Sequence, residues 1–254
     1  MRQLLALLLL CLVSVAQAGD DPVISIIIDD IGYHTNPDKG MIELPGALSY
    51  AFLPHAPHTK KLAKLAHSLN KEIILHAPMQ AMDETKNLGP GSLTLHMTEE
   101  QFTETLRKSL EAVPHAKGIN NHMGSLLTRH PGHMLWLMRE MNRHGDLYFV
   151  DSKTTSESIA QTVANENNVP NLTRDIFLDA ERSEEFVNKQ FDRMLKIARI
   201  RGYSVGIAHP YPETLKVLKK RLLELDDENI RLVPISEILK HDRKRKTWQV
   251  SSSR

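Results

Sequence analysis

The sequence predicts an α/β fold in which parallel strands and amphipathic helices alternate along one chain of 254 residues. Two patterns predict this fold: short apolar runs rich in β-branched residues, and stretches between them whose apolar residues recur at helical spacing. About seven or eight strand–helix units favour a closed or nearly closed barrel, and a doubly wound open sheet is the alternative. No internal repeat or interdomain linker is found, so one domain is expected.

The predicted strands are continuous apolar runs, as expected for parallel strands that are buried on both faces of a sheet. The clearest is the run VISIII at 23–28, which is almost entirely β-branched. Further strands are predicted at 47–53, 72–75, 117–121, 147–150, 175–178, 203–208 and 231–235.

The predicted helices lie between these strands. Thr98 and Gln101 have the spacing of a capping box, and Phe102 and Leu106 begin an apolar stripe behind it. Pro131 is a helix-start signal for the segment that follows it. Helices are predicted at 59–70, 98–113, 133–144, 156–167, 183–201 and 213–225.

The first eighteen residues read as a secretory signal peptide. Arg2 is followed by an apolar run at 4–15 and by the small-x-small pattern AQA at 16–18, which predicts cleavage after Ala18. The mature protein is therefore expected in the periplasm or another extracytoplasmic space, although retention as an uncleaved anchor is an alternative. The apolar run is short for a bilayer span, and no later run reaches about 18 apolar residues, so no transmembrane segment is expected in the mature chain.

The amino-acid composition excludes cysteine chemistry in the mature chain and gives no sign of nucleic-acid binding. The single cysteine, Cys11, would leave with the signal peptide, which excludes a thiol nucleophile, a thiolate metal site and disulfides in the mature chain. The balance of 32 Lys and Arg against 31 Asp and Glu gives no electrostatic reason to expect nucleic acid as a partner. The segment 241–254 is basic and then Ser-rich, which favours a poorly ordered tail, with attraction to an anionic surface as the alternative.

Polar residues follow five of the predicted strands. In parallel α/β folds the carboxyl ends of the strands carry the chemistry, so these residues are expected to face one opening. Two imidazoles and one carboxylate match a zinc-type catalytic site with an open water position, and a second acid could take a proton from that water. Each residue taken alone is also consistent with a helix cap, a turn or a structural histidine. The residues are Asp29, Asp30, His76, Asn120, Asn121, His122, Asp151 and His209.

Five motifs together resemble the divergent polysaccharide deacetylases, a branch of the carbohydrate esterases typified by NodB. They are IIIDDIG (26–32), EIILHAPM (72–79), GINNHMGS (118–125), FVDSKT (149–154) and GIAHPYP (206–212). The resemblance covers the mature chain to about residue 240 and implies one catalytic domain at 19–240. It also implies a distorted (β/α) barrel with about seven parallel strands and a divalent metal, commonly zinc.

The resemblance also implies roles for individual residues. Asp29 matches the general base and His209 the general acid of the family. Asp30 matches a metal ligand, and His76 matches the first ligand of a His-x-x-x-His motif. The second position of that motif is Gln80, a poor zinc ligand.

Another imidazole is therefore needed, and the next strand end offers His122, which gives the predicted metal set Asp30, His76 and His122. The Arg-Pro-Pro-Tyr-type motif of the ordinary family is absent. Asp151 is expected to orient His209 or to hold a sugar hydroxyl. The residues expected to contact the substrate are Asn120, Asn121, Asp151 and Tyr211.

The implied function is metal-dependent hydrolysis of N- or O-acetyl groups on a cell-envelope polysaccharide or sugar, so a carbohydrate is the expected partner. The first alternative is a catalytically silent glycan-binding barrel, which the glutamine at position 80 favours. A metal-dependent hydrolase of another amide, such as a peptide bond, is the second alternative.

Overall fold

The computed structural model describes residues 21–240, so the predicted signal peptide at 1–18 and the tail at 241–254 lie outside the described residues. Within this range, no helix is long and apolar enough to cross a membrane. The strands are β1 (Val23–Ile31), β2 (Ser49–Phe52), β3 (Glu72–Met79), β4 (Ala116–Met123), β5 (Tyr148–Asp151), β6 (Asn171–Thr173), β7 (Ile176–Phe177), β8 (Tyr203–Ala208) and β9 (Arg231–Leu232).

Within residues 21–240, seven α-helices precede a final helical segment at 235–240, and most of them lie between consecutive strands. The capping box of α3 is present, because the Thr98 side chain accepts from the Gln101 backbone N–H and Gln101 reaches back to the Thr98 N–H. The helices are α1 (Thr35–Ile42), α2 (Thr59–Ser68), α3 (Glu99–Ala112), α4 (Pro131–His144), α5 (Ala160–Glu166), α6 (Glu184–Arg201) and α7 (Pro212–Arg221).

The sheet confirms the predicted distorted barrel. All strand pairs are parallel, and the strand order is β6-β5-β4-β3-β2-β1-β8-β7, with β9 pairing with the start of β1. Sequence neighbours lie side by side, and β1 lies between β2 and β8, which is the cyclic order of a barrel rather than of a doubly wound sheet. Within residues 21–240 the two end strands, β6 and β7, do not pair with each other, so the barrel is open between them.

Several elements differ from the sequence-based expectation. The prediction omitted β6, because a three-residue strand with one apolar residue, Leu172, carries little pattern. It also omitted α1, which contains Pro37 and Gly40. The strands β1, β3 and β4 extend beyond their apolar runs into the polar residues that follow them. The polar candidates of these three strands therefore lie on the sheet itself, where the pleat fixes the direction of their side chains.

Two apolar clusters pack on the two faces of the sheet. The outer cluster joins the sheet to the helices and includes Ile24, Ile26 and Ile28 of β1. The inner cluster fills the barrel interior with Val23 and Ile27 of β1 together with residues of the other strands. Apolar residues of the C-terminal helical segment at 235–240 join the inner cluster and close the amino-terminal end of the barrel.

Gly118 in β4 lies in close contact with the ring of Tyr148 on the neighbouring strand. A Cβ at this position would lie 2.3 Å from a ring carbon of Tyr148, which is itself buried. We therefore expect Gly118→Ala to lower the free energy of unfolding by about 1–3 kcal/mol through overpacking, measured by urea denaturation. The control Gly132→Ala, in the first turn of α4 with only ordinary contacts nearby, should not destabilise. An equal effect of both substitutions would contradict this packing.

Candidate metal centre

Four polar side chains at the carboxyl ends of the strands continue rows of residues that point into the barrel. Successive side chains on a strand alternate between faces. The inward-facing apolar residues Ile27, Ile74 and Ile207 therefore place the residue two positions later on the interior as well. These later residues are Asp29, His76 and His209. The fourth polar side chain is Asn120 of β4, which lies beside His76 of β3 in the sheet.

Asp30 reaches the same space through an irregularity in β1. Its φ is +60°, in the left-handed region that side chains other than glycine rarely adopt. The pairing of β1 with β2 shifts register between Ile28 and Ile31, across this residue. Such a bulge redirects a side chain that regular pleating would turn to the other face. Both carboxylates of the Asp29–Asp30 pair are thereby directed towards one opening.

Asp30, His76 and His122 form a compact set of three ligand atoms. His76 Nε2 lies 3.2 Å from Asp30 Oδ1, and His122 Nδ1 lies 2.9 Å from the same oxygen. The two ring nitrogens are 3.1 Å apart. Ligand atoms about 2.0–2.2 Å from a tetrahedral zinc ion are separated by roughly 3.3 Å, close to these distances. Among the described residues, no other group of three His, Cys, Asp or Glu has metal-ligand spacing.

The donors themselves also fit a divalent cation. Asp30 Oδ1 is a buried oxygen without a geometrically acceptable hydrogen-bond partner, although two ring nitrogens lie close to it. Two imidazoles and one carboxylate leave a fourth tetrahedral position for water or substrate. Asp30, His76 and His122 are therefore the residues that could hold a metal here.

Asn120 connects the metal set to the second carboxylate. It is fully buried. Its amide nitrogen donates to Asp29 Oδ1 at 2.8 Å, and its Oδ1 accepts from His76 Nδ1 at 2.8 Å. This second bond places a proton on His76 Nδ1 and leaves the Nε2 lone pair facing Asp30, as a ligating histidine requires. One side chain thus orients both the predicted base and one predicted ligand.

The two adjacent carboxylates have opposite protonation tendencies. Burial raises the pKa of Asp29 above its ordinary value, although attraction to His76 and His209 and the hydrogen bond from Asn120 act against it. Burial alone would also raise the pKa of Asp30, but the His122 and His76 rings beside its carboxylate outweigh this effect and hold the pKa well below its usual range. Asp30 is therefore a charged ligand, while Asp29 has the stronger tendency to take up a proton.

His209 faces the metal set from β8 and is held by Asp179. The Asp179 carboxylate accepts from the His209 ring Nδ1 at 2.9 Å and from the His209 backbone N–H at 2.6 Å. His209 Nε2 then points to the site and lies 4.0 Å from Asp30 Oδ2. Burial alone would lower the pKa of His209, but the Asp179 carboxylate outweighs it and raises the pKa to about 9. His209 is thus protonated near neutral pH.

Asp179 was not among the sequence-based candidates, and the expectation that Asp151 orients His209 is wrong. Asp151 follows Phe149, which belongs to the outer cluster, so the pleat turns it away from the interior. Its carboxylate instead accepts from the Lys153 backbone N–H and the Ser158 hydroxyl. A signal for Asp179 was present, because it directly follows the strand predicted at 175–178.

The expectation that Asn120, Asn121 and Asp151 contact the substrate also needs correction. All three are at most 2% exposed, and their polar groups hold the protein together. Asn121 donates to the Met123 carbonyl and accepts from the Ser152 backbone N–H. These three residues therefore support the site structurally and are not accessible to a substrate. Tyr211, in contrast, is only partly buried and lines an open cavity.

Gln80 lies outside the metal set. Its side-chain oxygen accepts from the Leu95 backbone N–H at 2.8 Å, and its own N–H donates to the Leu93 carbonyl. The residue that replaces a histidine of the family motif therefore anchors the segment before α3. In this arrangement His122 supplies the second imidazole.

Two cavities flank the metal set and share Tyr33, Leu53 and His122 in their walls. The larger, of about 550 Å³, includes Asp30 and also has Arg182 and Tyr211 in its wall. The smaller, of about 240 Å³, is bounded by the loop at 87–90. Together they form a groove that has two of the three candidate ligands, Asp30 and His122, in its wall, with His76 buried behind them.

Two known proteins are similar to this chain over most of its length. The uncharacterized protein YibQ of Escherichia coli K12 is 34% identical over 231 residues, which are 91% of this chain and 70% of that protein. The crystal structure of an uncharacterized protein from Agrobacterium tumefaciens C58 has a TM-score of 0.83 at 21% identity, covering 87% of this chain and 90% of that chain.

A more distant structure shares the fold. It is a pseudoenzyme of the CE4 family from Bacillus anthracis, with a TM-score of 0.52 at 12% identity, covering 87% of this chain and 66% of that chain. A family model described as divergent polysaccharide deacetylase matches residues 26–239. With a match over most of its length, this chain belongs to the divergent polysaccharide deacetylase family.

Proposed function

We propose that this protein is a metal-dependent hydrolase that removes acetyl groups from an amino sugar or sugar of a cell-envelope polysaccharide. The observation that carries the proposal is the meeting of three candidate ligands, Asp30, His76 and His122, with an acid–base pair beside them. Asp30 and His122 line the groove. The acid–base pair is Asp29 of β1 and His209, which directly follows β8. Asp29 Oδ2 lies 3.6 Å from His76 Nε2, and His209 Nε2 lies 4.0 Å from Asp30 Oδ2.

The chain would hold a divalent cation, of the zinc type by its donor set, through Asp30, His76 and His122. Such a cation polarises an acyl carbonyl and lowers the pKa of water near it. Asn120 keeps the Asp29 carboxylate fixed beside these ligands, with Asp29 Oδ2 3.6 Å from His76 Nε2. Because burial raises the pKa of Asp29, its carboxylate is a stronger base than an exposed aspartate and can take the proton of the attacking water.

His209 would complete the reaction from the other side. Held in its protonated form by Asp179, it can donate from Nε2 to the leaving amine or alkoxide as the bond from the acetyl carbon breaks. The products are acetate and the free amine or hydroxyl of the sugar. The family supports a carbohydrate substrate, and the predicted signal peptide supports an extracytoplasmic site of action.

A second candidate function is glycan binding without catalysis. Two observations favour it: Gln80 replaces a histidine of the ordinary family motif, and one structure of related fold is described as a pseudoenzyme. A silent binder, however, has no use for a second, buried carboxylate, Asp29, beside Asp30, or for a histidine kept protonated by a buried aspartate. These features would cost stability without serving binding, so the hydrolase is the preferred proposal.

Replacing the adjacent aspartates Asp29 and Asp30 by asparagine is expected to affect activity and metal content differently. Asp29→Asn should lower kcat for acetate release by about 100-fold or more, the size of a general-base contribution, while metal content stays unchanged. Asp30→Asn should lose both metal and activity, because one ligand becomes a neutral amide. Elemental analysis and an acetate assay on an acetylated chitooligosaccharide measure both quantities. Full activity of Asp29→Asn would refute its role as base.

Asp179→Asn should weaken His209 as an acid. In metal-free protein, an NMR titration should give a pKa for His209 of about 9 in the wild type and a lower value in the variant, since the carboxylate that stabilises the imidazolium is gone. Activity needs the protonated ring, so its alkaline decline should move to lower pH. The matched control is Asp151→Asn, which removes a buried carboxylate on the outer face of the sheet. It should change neither the pKa of His209 nor the pH of the alkaline decline. An unaltered alkaline limb in Asp179→Asn would contradict the assignment.

A further inference from the structure

Arg182 projects into the larger cavity beside the metal set. It is exposed, and its guanidinium carbon lies 3.9 Å from the centroid of the Tyr211 ring. Both side chains line the cavity that also includes Asp30. Stacking on an aromatic ring holds a guanidinium in one plane while its N–H groups stay available at the edge. The oriented guanidinium group of Arg182 therefore lines the same cavity as the proposed metal ligand Asp30.

Many other arginines of the protein are occupied by internal partners. Arg107 pairs with Glu140, Arg221 with Asp192, and Arg174 donates to the Ser152 and Lys153 carbonyls. Arg182, in contrast, has no carboxylate within 4.0 Å among residues 21–240. Two of the neighbouring acids are engaged by other residues, since Asp179 binds His209 and Glu184 pairs with Lys216. The donors of Arg182 thus face the cavity without an internal acceptor.

Three aromatic and cationic side chains give this cavity a distinct chemistry. Tyr33, 42% exposed, lies in its wall together with Tyr211, so the cavity offers ring faces as well as charge. Its volume of about 550 Å³ is in the range of about 300–1,000 Å³ typical of ligand sites. The negative charge of Asp30 in the same wall would be offset by the cation that it helps to hold. An oxyanion on the ligand is then the group that Arg182 best complements, through paired N–H···O bonds.

We propose that Arg182 is a specificity-determining residue that binds an anionic group, a carboxylate or a phosphate, on a saccharide unit next to the acetylated one. The preferred substrate is then an acidic acetylated saccharide rather than a neutral one. This inference rests on the proposed deacetylase function and adds the substrate class to it. Tyr211 acts as the platform that orients the guanidinium and packs against the sugar.

The test compares substrates that differ only in charge. The zinc-loaded protein is assayed for acetate release from an oligosaccharide of alternating N-acetylglucosamine and glucuronic acid, and from the same oligosaccharide after reduction of its carboxylates to alcohols. A phosphorylated N-acetylglucosamine oligomer, compared with its dephosphorylated form, distinguishes phosphate from carboxylate. The wild type should prefer the anionic member of one pair by at least about 10-fold in kcat/KM, the size of one charge-assisted contact.

Two variants separate a specific contact from a general effect of charge. Arg182→Gln should reduce the preference to about one-fold. Arg193→Gln removes the same charge from an exposed position on α6, outside the residues of the groove, and should keep the wild-type preference. A wild type that releases acetate equally from both members of each pair, or an Arg182→Gln variant that keeps the preference, overturns the role of Arg182 and leaves the deacetylase function standing.

Failure of the deacetylase function itself would look different, because no acetate would be released from any member of either pair. Titration calorimetry of the same oligosaccharides then decides the role of Arg182. Tighter binding of an anionic member by the wild type, lost in Arg182→Gln and kept in Arg193→Gln, supports the proposed contact. Equal binding of charged and uncharged members contradicts it.

Discussion

The fold of this protein has to accommodate two adjacent carboxylates, Asp29 and Asp30, at the end of a central strand. Like charges at this spacing repel, and burial removes the water that would otherwise screen them. The structure compensates for them with His76, His122 and Asn120 from the two strands that lie beside one another across the interior. The positions of these three side chains depend on the register of β3 and β4. The geometry of the sheet therefore determines which groups meet in the site.

The barrel supplies the conditions under which such a site can exist. Its amino-terminal end is filled with apolar side chains and closed by the C-terminal helical segment at 235–240. The candidate ligands and the acid–base pair lie at the carboxyl end, whereas the buried polar residues Ser49 and Glu72 at the other end bond to each other and to backbone N–H groups of the segment 235–236. At the carboxyl end, the φ of +60° at Asp30 and the shifted register of β1 bring the second carboxylate round to the first. Local backbone strain of this kind persists where the surrounding structure fixes it, and it clusters at functional sites.

Much of this arrangement was predictable from the sequence. The alternation of strands and helices gave the parallel barrel, and the polar residues after the apolar runs gave Asp29, Asp30, His76, His122 and His209. The predicted ligands Asp30, His76 and His122 lie together in the structure. Their proximity follows from strand ends meeting at one edge of a barrel, which is a property of topology and needs no side-chain detail.

Other features of the site were not predictable from the expectation that polar residues at strand ends face one opening. Which face a residue occupies is set by the pleat, so Asp151 lies outside while Asn120, on the neighbouring strand, lies inside and is buried. Asp179 directly follows the strand predicted at 175–178, so its position was predictable, but its partnership with His209, which spans 30 positions of the chain, was not. Arg182 lies in the exposed segment before α6, where sequence gives no hint that it stacks on Tyr211.

We propose that Asp30, His76 and His122 bind one divalent cation. The most direct measurement is a crystal structure of the zinc-loaded protein with anomalous diffraction collected above the zinc edge. We expect one strong anomalous peak about 2.0–2.2 Å from Asp30 Oδ1, His76 Nε2 and His122 Nδ1, with a water or acetate completing the tetrahedron. No peak at this position, or a peak whose ligands exclude His122, would contradict the account.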